Sequence, residues 1–188
     1  MRIRIILGLV AAMMLSAGAL TEASAYPVNE ILRRDHDACG RQAVLRRGYW
    51  NHPTGRGFGF DKMYHKHNLK RTEVFSYVLR NPNCGKPVGG HTRQYNAYAH
   101  LFRCSILSCE IVARRQVFLL IDYRNDPGIP GQKGAITAYC ANETRCADWV
   151  DRSINLMRGG GEGERTAWSY EPMSQERKYK PDAMPTVL

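Results

Sequence analysis

Six cysteines constrain this chain more than any other feature: Cys39, Cys84, Cys104, Cys109, Cys140 and Cys146. The segment ahead of them sets their chemistry. Arg2 and Arg4 give a positive start, Ile5 to Leu20 is an almost unbroken apolar run, and Ala23-Ser24-Ala25 supplies the small-x-small pattern that signal peptidase accepts. The run is about 16 residues, short of the roughly 20 that a membrane-spanning helix needs. The sequence therefore predicts a signal peptide over 1–25, a secreted or periplasmic product, and no stable membrane insertion once the signal is removed. In an oxidising compartment an even cysteine count reads as a disulfide framework whose pairing the sequence leaves open. No two cysteines have the two-residue spacing of a zinc knuckle, so neither a metal nor another cofactor is expected.

The formal net charge is +10, and Arg2, Arg4 and Glu22 take only +1 of it away with the signal peptide. So basic a small domain favours polyanionic partners: RNA, anionic lipid, acidic glycan or an acidic inhibitor protein.

Hydrophobic periodicity predicts an α+β fold, with N-terminal helices followed by an antiparallel β-meander in one disulfide-stapled domain over 26–158. Val28, Ile31, Leu32, Cys39, Ala43 and Val44 recur at helical spacing and predict a helix over 28–47. Residues 49–60 have loop composition, and 61–67 read as a helical turn. Thr72 is a candidate N-cap for a helix over 72–79. Beyond a Gly-rich loop at 86–92 the period becomes extended. Strands are expected near 95–104, 109–113, 116–123 and 134–140, with a turn at Asn125-Asp126-Pro127-Gly128 and a short helix over 148–157. The Gly/Glu/Pro/Lys-rich segment 159–188 reads as a flexible tail.

The chemistry-bearing cluster is GFGFDKMYHKHN over 57–68. Histidine can take a proton from one oxygen and return one to another near neutral pH, as metal-independent RNA cleavage requires, while cations stabilise the charged transition state. Two residues apart on a helix, His65 and His67 would not share a face. Thr137 and Tyr139 alternate along the closing strand and so share one. Tyr49, Trp50, Phe58, Phe60 and Tyr64 interleave with Arg46, Arg47, Arg56 and Lys62, a mixture able to stack bases and neutralise phosphates.

The pieces GFGFDKMYHKHN (57–68), RTEVFSYVL (71–79), QVFLLIDYRND (116–126) and GAITAY (134–139) resemble, in order and spacing, the barnase–EndoU–colicin–RelE group of toxin RNases. The resemblance covers roughly residues 57–140. It implies an endoribonuclease with His67 or His65 as acid/base and Thr137 and Tyr139 facing the scissile phosphate. It further implies Arg71, Arg115 and Lys133 as phosphate contacts, and a cognate immunity protein as partner. The six cysteines depart from the pattern. Two other readings stand beside it: a non-catalytic binding module for an anionic partner, and an NAD-dependent transferase, for which no Arg, Ser-x-Ser and Glu-x-Glu series is evident.

Overall fold

In the computed structural model, the described residues are 27–152 and 163–172. The signal peptide expected over 1–25 lies outside them. The fold is α+β with antiparallel strands among the described residues, as the meander pattern predicted, but the segment 28–47, expected to be a helix, is not one. Ile31–His36 (β1) and Gln42–Arg46 (β2) pair as a hairpin. Helix is defeated at the turn, where the Asp37 carboxylate accepts the N–H groups of Cys39 and Arg41, each at 2.9 Å, and Gly40 takes φ +78°. The other Asp37 oxygen accepts the Tyr95 hydroxyl at 2.7 Å, tying this turn to the central sheet.

The aromatic segment read as a loop is a second hairpin, Tyr49–Asn51 (β3) with Arg56–Phe58 (β4). It leads into helix α1 (Gly59–His67), followed by α2 (Glu73–Leu79). Gly59 joins hairpin to helix at φ +76°, and a Cβ there would meet the Arg46 carbonyl oxygen at 2.7 Å, so only glycine fits.

The main sheet runs β5 (Lys86–Gly89), β6 (Thr92–Cys104), β7 (Cys109–Asn125) and β8 (Gln132–Cys140). The expected break at Arg114-Arg115 is absent, and β7 continues through both, because their guanidinium ends reach the surface. Part of the expected tail also folds: Gly163–Ser169 (β9) pairs antiparallel with β6 and buries Trp168 in the core. Of the helix predicted over 148–157, Asp148–Arg152 (α3) is described and the rest lies outside the described residues.

The core lies on one face of this sheet. Val74, Phe75, Val78 and Leu79 of α2 and Val150 of α3 meet Tyr95, Ala97, Ala99, Val117, Leu119 and Ile121. All six cysteines are paired: Cys39–Cys84, Cys104–Cys109 and Cys140–Cys146. The first closes 45 residues and the others 5 and 6. Chain entropy then makes the first worth about 4 kcal/mol and each of the others about 2. Among the described residues no helix is long and apolar enough to cross a membrane.

Candidate functional site

Alternation along β6, β7 and β8 sends every second side chain to the face opposite the core. Asn96, Phe118 and Tyr139 stand in one cross-strand row, Gln94, Leu120 and Thr137 in the next, and Tyr98 and Gln116 in a third. All but Thr137 are half-buried; Thr137 is buried, with its hydroxyl on the Ala138 carbonyl at 3.4 Å. The Phe118 and Tyr139 rings lie 5.6 Å apart. A pocket of about 470 Å³ opens at the Tyr98–Gln116 end of this face, lined by Tyr98, Arg114, Arg115, Gln116, Asn142 and Glu143 but not by Phe118, Tyr139 or His67.

The C-terminal end of α1 brings His67 to this face. Met63 and His67, one turn apart, are its buried side. Asn68 ends the helix in the left-handed region, and its side-chain N–H groups donate to the Cys146 carbonyl (2.9 Å) and the Asp148 carboxylate (2.8 Å). The Cys146 N–H in turn donates to the His67 carbonyl at 2.9 Å. The Cys140–Cys146 bridge closes the same loop and so places the Thr144 carbonyl 3.1 Å from His67 Nδ1. A carbonyl only accepts, so Nδ1 carries the hydrogen and the lone pair resides on Nε2. Among the described residues Nε2 makes no hydrogen bond, yet it is not among the polar atoms sealed from solvent. The His67 and Tyr139 ring centroids are 5.8 Å apart.

Burial drives the His67 pKa down to about 4, with a further push from Lys66 and Lys62 against the opposing Thr144 bond. The imidazole is therefore neutral at pH 7, with its basic nitrogen not fully sealed from solvent although the residue is only 7 % exposed.

Of the residues singled out in the sequence, His67, Tyr139 and Thr137 come together on this face. Arg115 reaches the pocket rim in an ion pair with Glu143. His65 is exposed on another side of α1, against the Tyr64 ring. Arg71 turns to Asp151, whose carboxylate accepts the Arg71 N–H at 2.9 Å and lies 3.9 Å from the guanidinium. Lys133 packs over Phe58, 5.7 Å from the ring centroid and 3.9 Å from Asp126. It stands six residues from Tyr139 on the same strand, about 20 Å away at strand rise. Arg46, counted among the interleaved cations, is buried and donates to the carbonyls of Asn29, Pro130 and Gln132.

Phe118, Tyr98, Gln116, Arg114 and Arg145 escaped the sequence reading. Arg145 donates to the His65 carbonyl at 2.8 Å, a cation at the C-terminal end of α1. The strand alternation contained Tyr98 and Phe118, but only the register sets them beside Tyr139. Among the described residues no three His, Cys, Asp or Glu side chains converge as metal ligands. No protein-family model, curated protein or solved structure matches the chain.

Proposed function

We propose that the mature domain is an exported endoribonuclease that cleaves single-stranded RNA on the outward face of its sheet. The observation that carries this reading is His67: a buried, neutral imidazole, fixed in one tautomer, with its free lone pair beside Tyr139. A general base must be unprotonated at the working pH; the low pKa secures that at a cost in basicity, which cations near the phosphate would have to offset.

The chemistry follows from the groups present. His67 Nε2 takes the proton of a ribose 2′-hydroxyl, and the 2′-oxygen attacks the adjacent phosphorus. The bond to the 5′-oxygen breaks, leaving a 2′,3′-cyclic phosphate and a 5′-hydroxyl. The Tyr139 hydroxyl supplies the proton to the departing oxygen, and water returns one from His67 to the phenolate. Phe118 and Tyr98 offer rings for neighbouring bases, and Arg114 offers charge for phosphates at the pocket, where Arg115 is already paired with Glu143. The site takes its acid/base group from α1 and its substrate surface from β6, β7 and β8. That division matches what resemblance to the barnase–EndoU–colicin–RelE group implies, and export matches the three disulfides.

The test is incubation of residues 26–188, produced in an oxidising compartment, with mixed tRNA and rRNA in excess EDTA. Wild type and His65→Ala should both cleave, whereas His67→Ala should not. Cleavage that survives loss of His67 would remove the assignment. Absence of cleavage by wild type across salt and pH would favour a non-catalytic module that grips its polyanion through the same face.

A further inference from the structure

One flank of α1 carries positive charge that the fold leaves uncompensated. Lys62 and Lys66 stand one helical turn apart, and among the described residues neither ammonium meets a carboxylate. Like charges at this spacing repel by a few tenths of a kcal/mol. Burial and the neighbouring Lys66 both hold the Lys62 ammonium below its ordinary range. Over residues 47–71 the sole carboxylate is Asp61, against six cations; Arg47 and Arg71 are answered from elsewhere by Glu30 and Asp151, but Lys62 and Lys66 are not. A bound anion would relieve the repulsion between these two lysines.

An indole lies beside these charges. Lys66 Nζ sits 5.1 Å from the Trp50 ring centroid. Trp50 is half-buried on β3, and its cross-strand partner is Gly57, which brings no side chain alongside it. The next residue on that strand, Tyr49, is 43 % exposed. Cations alone suit any polyanion, but cations against a half-buried indole with no cross-strand side chain beside it add a stacking surface, which a nucleobase uses and a lipid headgroup does not.

We propose that this flank, through Lys62, Lys66 and Trp50, holds the backbone and a base of a single-stranded nucleic acid running past the His67 site. The proposal deepens the RNA reading of that site, and binding tests it without reference to cleavage.

The probe is a fluorescein-labelled oligodeoxythymidine of about 12 nucleotides, within the span of such grooves, which has no 2′-hydroxyl to attack. The mature chain should bind it. The Lys62→Ala/Lys66→Ala pair should bind about 10-fold more weakly, with the slope of log K against log salt shallower by about 1.4, the value for two lost phosphate contacts on a single strand. Trp50→Ala should lose about 10-fold with the slope unchanged, since stacking releases no counterions. Lys62→Arg/Lys66→Arg should retain wild-type affinity, which separates charge from folding. A Lys62→Ala/Lys66→Ala chain that binds with wild-type affinity and slope overturns the proposal. So does a wild-type chain that binds anionic vesicles or heparin but not the oligonucleotide. If the oligonucleotide binds as expected and RNA is never cut, only the nuclease reading falls.

Discussion

Two buried histidines lie on the face of the sheet opposite its core, His67 brought there by α1 and His100 carried by β6, and the difference between them shows what a candidate base requires. His67 and His100 are both pushed down to about 4, chiefly by burial. They hold opposite tautomers. The Thr144 carbonyl keeps hydrogen on His67 Nδ1, leaving an Nε2 that is not sealed from solvent. At His100, Ser169 donates its own hydroxyl to the Glu171 carbonyl, so His100 Nε2–H donates to Ser169 Oγ at 2.9 Å. Its lone pair on Nδ1 is sealed, without a partner, between the rings of Tyr98 and Phe102. Burial and a lowered pKa are common to both; only at His100 is the lone pair sealed from solvent.

The largest expected effect is on cleavage. His67→Ala should reduce the rate of RNA cleavage at least about 1000-fold, the upper part of the range for a lost general base. His100→Phe, which keeps an aromatic ring between Tyr98 and Phe102, should leave it within about 2-fold. Rates from single-turnover assays on both variants check the pair, and a comparable loss in His100→Phe would break the distinction.

Next in size is acid stability, which the two histidines share. Unfolded imidazoles take protons below about pH 6.5, whereas these two stay neutral until about pH 4. The unfolded state therefore binds more protons in that window, and stability falls as pH drops from 6.5 to 4. The loss should approach about 3 kcal/mol for each histidine. Urea titrations at pH 7 and pH 4.5 should show it, with about half the loss gone in His100→Phe. Equal pH dependence in wild type and variant would mean that His100 is not held neutral.

One short disulfide loop presents Thr144 to His67, while the other closes the far end of the strand that carries His100, and this gives a smaller, sharper contrast. Cys140→Ser/Cys146→Ser frees the loop that presents Thr144 and should lower cleavage about 10-fold, the scale of about 1.4 kcal/mol in a barrier. Cys104→Ser/Cys109→Ser, at the far end of the sheet, should lose about as much stability but keep its rate. Smallest of all is His65→Ala, expected to change the rate less than about 2-fold because its ring points away from the sheet face; a larger change would return His65 to the site.

The sequence made parts of this legible for physical reasons. The closing strand and its Thr137/Tyr139 parity could be read because side-chain direction in a strand depends only on the chain itself. So could the separation of His65 from His67 on a helix. The β1–β2 hairpin could not, because Val28 to Val44 fits helical spacing equally well. Tertiary contacts decided it, through the Asp37 turn, its Tyr95 bond and the Cys39–Cys84 bridge. Strand β9 was hidden by polar, Gly-rich surroundings that mask Trp168. Phe118 and Tyr98 were out of reach because cross-strand register is long-range information.

The most direct test of the central claim is the pH dependence of kcat/KM on a dinucleotide substrate, from pH 3.5 to 8, in wild type and His65→Ala. The account predicts that both profiles rise through an apparent pKa near 4 and are level by about pH 5.5, since the base is the buried His67. A rise that is present in the wild type but disappears in His65→Ala would contradict it, and would assign the proton transfer to the exposed histidine instead.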